Sequence, residues 1–137
     1  MGTQLDMIGI FVKDLHQMVE FYRDVLGFEI DWDGKGPYAE FKHKSIRFSM
    51  YERARLPGLL GQTPTYPDGL NGTFELAIDL PASVDVDREF ERIVKAGALP
   101  VYAPRIEPWG MYSSMIADPE GNIVEIGSWN RGAGSED

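Results

Sequence analysis

Apolar and polar positions alternate along this chain in two similar rounds. Residues 5–13 read as a strand, with Ile8, Ile10 and Val12 on one side and Met7, Gly9 and Phe11 on the other. Both sides are apolar, which predicts a strand covered on both faces. A helix follows. Asp14 stands at its N-cap with Gln17 three residues on, a capping-box arrangement. Leu15, Met18, Val19, Tyr22, Val25 and Leu26 then recur at spacings of three and four, and Gly27 supplies the stop. Three more strands are predicted at 28–32, 38–42 and 46–51. Turn residues separate them: Asp33, Gly34, Gly36 and Pro37, then 43–45.

Residues 53–72 break this rhythm with Pro57, Pro64 and Pro67 and several glycines. They read as a connector with a helical turn around 56–60. A connector of this length links units or covers a site. The pattern then restarts. Residues 73–80 alternate as a strand, and 84–96 place Val86, Phe90, Ile93 and Val94 on one helix face before Gly97. Short strands are predicted at 99–102, 111–117 and 123–129, the last two joined by a turn at 118–122. Asp118 and Asn122 read as turn formers. Residues 130–137 are a small polar tail expected to be disordered. The prediction is one α+β domain of two β-α-β-β-β modules: 5–52, the connector 53–72, 73–129, and the tail.

Composition narrows the function. The chain has 137 residues, of which 43% are hydrophobic, enough for a core. A net charge of -9 argues against nucleic acid and against anionic lipid. With no cysteine, disulfides, thiol catalysis and cysteine-ligated metals are excluded. The two histidines, His16 and His43, fall on the first helix and in a hairpin turn, which places both at the surface. No run is long and apolar enough to span a bilayer, and the first residues show no secretory signal, so a cytoplasmic protein is expected.

Residues 8–30 (IGIFVKDLHQMVEFYRDVLGFEI) and 118–129 (DPEGNIVEIGSW) resemble the glyoxalase/bleomycin-resistance/extradiol-dioxygenase superfamily, the vicinal oxygen chelate proteins. The Phe21-Tyr22 pair before Leu26-Gly27-Phe28 and the Asp118-Pro119-x-Gly121-Asn122 turn carry the likeness in combination. The resemblance covers about 5–129. It implies that the modules curl a mostly antiparallel sheet into a cup-shaped cleft, and it implies frequent homodimers. It also implies a divalent metal in many relatives, held at four strand positions. Here these fall at Met7, near Ser49, at Glu75 and at Glu125. Met7 and Ser49 are poor ligands for a hard or borderline dication. No cofactor is therefore expected, with a divalent metal at Glu75 and Glu125 as the alternative.

The same residues admit other chemistry. Glu75 and Glu125 face to face would raise one another's pKa, which suits an acid/base pair or anchors for a cationic ligand. Arg47 could neutralise one of them; Arg47, Ser49 and Tyr51 alternate with Ile46, Phe48 and Met50, and so share a side. Phe11, Tyr51, Trp109, Tyr112 and Trp129 offer surfaces for a flat or apolar ligand. Pro108-Trp109-Gly110 resembles a segment common in the family, which favours Trp109. The expected function is a small-molecule-binding protein working without a catalytic metal. Its ligand-binding residues would be Met7, Phe11, Arg47, Ser49, Tyr51, Trp109 and Tyr112, with Glu75 and Glu125 as candidate catalytic groups. Its expected partners are a cationic or aromatic small molecule and a second copy of the chain. The alternative is a metal-dependent lyase, isomerase or dioxygenase using Glu75 and Glu125.

Overall fold

A computed structural model describes residues 2–130. The expected disorder of the tail concerns 131–137, outside the described residues. The chain divides into two compact units, Met1–Tyr66 and Pro67–Asp137, with the boundary inside the 53–72 connector.

In the first unit, β1 (Met7–Val12) leads into α1 (Leu15–Glu20). The Asp14 carboxylate accepts the Gln17 backbone N–H at 3.0 Å, satisfying one of the helix's free donors. Beyond Glu20 the helix widens into a π turn over Phe21–Val25, where the Leu26 N–H reaches the Phe21 carbonyl at 3.1 Å. The widened turn ends at Gly27, whose φ of 83° is the left-handed stop. Strands β2 (Tyr38–Phe41) and β3 (Arg47–Glu52) follow, then a 3-10 turn (Arg53–Arg55) and α2 (Leu56–Leu60). The helical turn expected at 56–60 is present.

The sheet order is β1-β3-β2, with β1 parallel and β2 antiparallel to β3. Residues 28–32 do not form the expected strand. Only Ile30 bridges Phe41. Phe28 turns instead into an aromatic cluster with Tyr22, Phe41 and Phe48, at centroid distances of 5.5 to 6.2 Å, and Trp32 packs on His16 at 4.9 Å. Core packing has outbid the period-2 pattern here. The expectation that β1 is covered on both faces is also corrected. Ile10 and Val12 are buried with Met18, Val19 and Tyr22, but Phe11 is 48% exposed on the other side.

In the second unit, β4 (Asn71–Asp79), α3 (Ser83–Lys95), β5 (Leu99–Ile106), β6 (Tyr112–Ala117) and β7 (Asn122–Ser128) form a sheet of order β4-β7-β6-β5. β4 runs parallel to β7, and the other pairs are antiparallel. Antiparallel pairs are in the majority over the two sheets, and each sheet also holds one parallel pair, because each module's first strand joins its last through a crossover. The α3 face buries Val86 and Ile93 against Ile116, Val124 and Ile126. At the start of α3, the Asp85 carboxylate accepts the Ala82 N–H at 3.1 Å. Strand β5 is longer than the expected 99–102, continuing through two bulges to Ile106.

Candidate ligand-binding site

The second unit's sheet has one face on α3 and one free of it. Register fixes what the free face carries. Ala77 pairs with Glu125, Glu125 with Met115, and Met115 with Tyr102, forming one row across the four strands. The next row joins Asp79, Gly127, Ser113 and Arg105. Glu75 stands beside Ile123, one pair further along β4. Glu75 and Glu125 therefore stand on one face of the sheet.

Between β5 and β6 the chain folds back tightly. The Glu107 N–H donates to the Met111 carbonyl at 2.8 Å, and the Gly110 N–H to the Glu107 carbonyl at 2.8 Å. This turn holds Trp109 and Met111 over the sheet. Gly127 is what lets Met111 come close: a Cβ there would lie 2.6 Å from Met111 Cε and 2.9 Å from Ser113 Cβ. A cavity of about 420 Å³ results, lined by Glu75, Asp79, Trp109, Met111, Glu125 and Trp129, with Ala77 and Ile78 at its base. The indoles are 59% (Trp109) and 62% (Trp129) exposed, whereas Glu125 is only 8% exposed.

The acids here have opposite environments. Burial pushes the Glu125 carboxyl above the usual glutamate range, and the nearby charges of Glu75 and Glu107 push it the same way. Glu125 has no hydrogen bond or ion pair among the described residues. Glu107, which sequence reasoning missed, is buried but fully engaged. It accepts from the Tyr102 hydroxyl (2.8 Å), the Ser113 hydroxyl (3.0 Å) and Arg105 Nε (3.3 Å). The Tyr102 hydrogen bond, with those from Ser113 and Arg105, holds its carboxyl below the usual range. The Arg105 guanidinium also lies 3.7 Å from the Tyr102 ring centroid. The only sequence signal for Glu107 was an acid set between Ile106 and Pro108.

Tyr112 is not on this face. Its hydroxyl donates to Asp87 Oδ1 of α3 at 2.6 Å, and burial with this bond pushes its pKa up to about 12. Strand alternation groups Tyr112 with Ser114 and Ile116, toward the helix, so it does not line the cavity.

In the first unit, the open face of the sheet collects Met7, Phe11, Ser49 and Tyr51 with Tyr38 and Leu59, around a shallow cavity of about 480 Å³. Tyr38 and Leu59 were not anticipated. The Ser49 hydroxyl donates to Met7 Sδ at 3.3 Å. Arg47 is engaged by two carboxylates of its own unit. Its Nη2 holds Asp6 at 2.6 Å and its Nη1 holds Glu40 at 3.0 Å. Glu40 also accepts from the Tyr38 hydroxyl at 2.6 Å.

Neither donor set fits a resident dication. The second unit's cavity offers the uncommitted carboxylates of Glu75, Asp79 and Glu125, which form no group able to hold a metal ion, and Glu107 is bound by three protein donors. The first offers a thioether and a hydroxyl, with its carboxylates held by Arg47. Among the described residues no group of three or more His, Cys, Asp or Glu could hold a metal ion. His16 and His43 are both exposed, on α1 and in the 42–46 turn respectively. Asp118 and Asn122 are occupied with each other, Asn122 Nδ2 donating to Asp118 Oδ2 at 2.9 Å.

The chain belongs to the Glyoxalase/Bleomycin resistance protein/Dioxygenase superfamily, whose family model matches residues 4–126. It is 26% identical to the uncharacterised protein YraH of Bacillus subtilis, over 90% of this chain and 96% of that one. It is 30% identical to the uncharacterised protein Mb0911c of Mycobacterium bovis, over 86% and 78%. Its fold matches the crystal structure of a glyoxalase/bleomycin resistance protein/dioxygenase from Nocardioides at a TM-score of 0.82 and 20% identity, covering 100% of this chain and 90% of that one. A lactoylglutathione lyase from Agrobacterium tumefaciens matches at 0.71 and 21% identity, over 93% and 94%. No helix among the described residues is long and apolar enough to cross a membrane.

Proposed function

We propose that this is a small-molecule-binding protein of the superfamily, and that it acts without a resident metal. One observation carries the reading. Glu125 is a largely buried residue whose carboxyl opens on a cavity of about 420 Å³ and takes no hydrogen bond from the described residues, with two exposed indoles flanking the cavity. A carboxyl open to a cavity and without a protein donor is suited to receive a partner from a ligand that covers it. Carboxylates that form no group able to hold a metal ion, with no imidazole lining the cavity among the described residues, support binding over metal-assisted lyase, isomerase or dioxygenase chemistry.

The test has two readouts on one preparation purified without chelator. Fragment titration is expected to shift the indole N–H resonances of Trp109 and Trp129. Trp32 belongs to the first unit and donates its indole N–H to the Lys35 carbonyl at 2.9 Å, so its resonance should stay still. Elemental analysis is expected to find less than stoichiometric metal. One tightly held equivalent of nickel, zinc, iron or manganese, lost in Glu125→Ala, would overturn the metal-free reading. The proposal extends, on the family resemblance, to a homodimer in the cytoplasm. Light scattering that returns 15.4 kDa would remove the dimer.

A further inference from the structure

We propose that the second unit's cavity selects an organic cation, a quaternary or protonated ammonium group carried on an apolar or aromatic body. This rests on the small-molecule reading above and names the ligand class. Among the described residues the ionisable groups lining the cavity are Glu75, Asp79 and Glu125, and no Lys, Arg or His lines it. None of these acids has a hydrogen bond or ion pair among the described residues. Arg105 lies on the same sheet face but is committed to Glu107 and to the Tyr102 ring. An anion would meet three like charges, and a neutral ligand would leave the buried Glu125 charge without a counterion.

The indoles decide which kind of cation fits. Small inorganic dications hold their water and demand many oxygen ligands. An alkylammonium is weakly hydrated and is attracted to an aromatic face, most of all to tryptophan. Trp109 and Trp129 offer such faces at the cavity, and the Met111 thioether adds a soft, polarizable surface for methyl groups. The carboxylates supply the charge and the indoles the apolar enclosure that strengthens it.

The test compares two probes of one shape on the full chain. One is (4-hydroxymethyl)benzyltrimethylammonium, and the other is its neutral carbon isostere, 4-neopentylbenzyl alcohol. Calorimetry at fixed ionic strength is expected to show the cation binding about tenfold tighter. Glu125→Gln should abolish that preference while changing isostere affinity by no more than about twofold. Trp129→Leu should weaken the cation by about tenfold, with near-ultraviolet circular dichroism confirming that each variant is folded. Equal or tighter binding of the isostere would overturn the cation assignment and leave the small-molecule reading standing. So would binding confined to neutral or anionic fragments. If no fragment of any charge moves the Trp109 and Trp129 resonances, the earlier reading fails as well.

Discussion

Gly121→Ala is expected to cost about 3–5 kcal/mol, a large part of a domain's ordinary stability margin. Gly121 sits at a φ of 88°, and a Cβ there would run into the Gly69 carbonyl oxygen, with the Gly69 carbonyl carbon at 2.9 Å and Leu70 Cα at 3.4 Å. These atoms are backbone and cannot rotate away. They are also held: the Asn71 N–H donates to the Gly121 carbonyl at 2.7 Å, and Asn71 Nδ2 donates to Asn122 Oδ1 at 3.0 Å. Asp118 ties off the other side, accepting the Glu120 and Asn122 N–H groups at 2.9 and 3.0 Å. The turn therefore sets the start of both β4 and β7, the strands that carry Glu75 and Glu125. Gly27→Ala is the control. Gly27 has a similar φ of 83° but nothing within 4 Å of an added Cβ, so only the left-handed penalty of about 1–2 kcal/mol applies. Chemical denaturation of the two variants measures the difference. Equal losses would show that the approach of Gly69 does not constrain the turn.

Where local chemistry and tertiary packing agree, the sequence was enough to read the structure. The first helix is capped by Asp14 and periodic from Leu15 onward, and nothing nearby competes. The 118–122 turn closes on its own side chains, so its residues foretell its shape. Residues 28–32 failed for the opposite reason. Phe28, Ile30 and Trp32 alternate like a strand, yet Phe28 gains more by joining Tyr22, Phe41 and Phe48 than by extending a ladder. The site divides along the same line. Parity and family likeness located Glu75 and Glu125, because β4 and β7 are regular between Glu75 and Asp79. Glu107 and its donors were not legible, because bulges on both sides of Tyr102 break the alternation of β5. Tyr102 and Arg105, an even and an odd position, consequently share a face. Tyr112 was grouped with the tryptophans by nearness in sequence, whereas strand alternation turns it to α3.

Glu125→Gln is expected to raise the unfolding temperature at pH 8 and to lose that advantage as the pH falls toward 4. Folding shields this carboxyl partly from water and gives it no protein donor in return. Burial is the first cause of its raised pKa, and the charges of Glu75 and Glu107 add to it. The charged and titratable groups on its side of the sheet are Glu75 and Asp79 on β4, Tyr102 and Arg105 on β5, and Glu107 in the turn beyond. The folded protein therefore holds the Glu125 proton to higher pH than the unfolded chain does. The stability this acid contributes is full below the ordinary glutamate value of 4.5 and is lost as the pH rises through the raised folded value. Glutamine keeps the shape and never ionises, so the variant escapes the loss. The gain at pH 8 should be at most about 1 kcal/mol, the low end for a polar group that is only partly shielded from water. Glu107 works in the reverse sense: its lowered pKa gives stability above the ordinary range that is lost in acid. Both proteins contain Glu107, so its contribution largely cancels in the difference between them. Thermal melts of the two at matched pH isolate the Glu125 contribution. A gain that does not change with pH would mean that ionisation of Glu125 costs the folded protein nothing, and its role as the cavity's unpartnered charge would be lost with it.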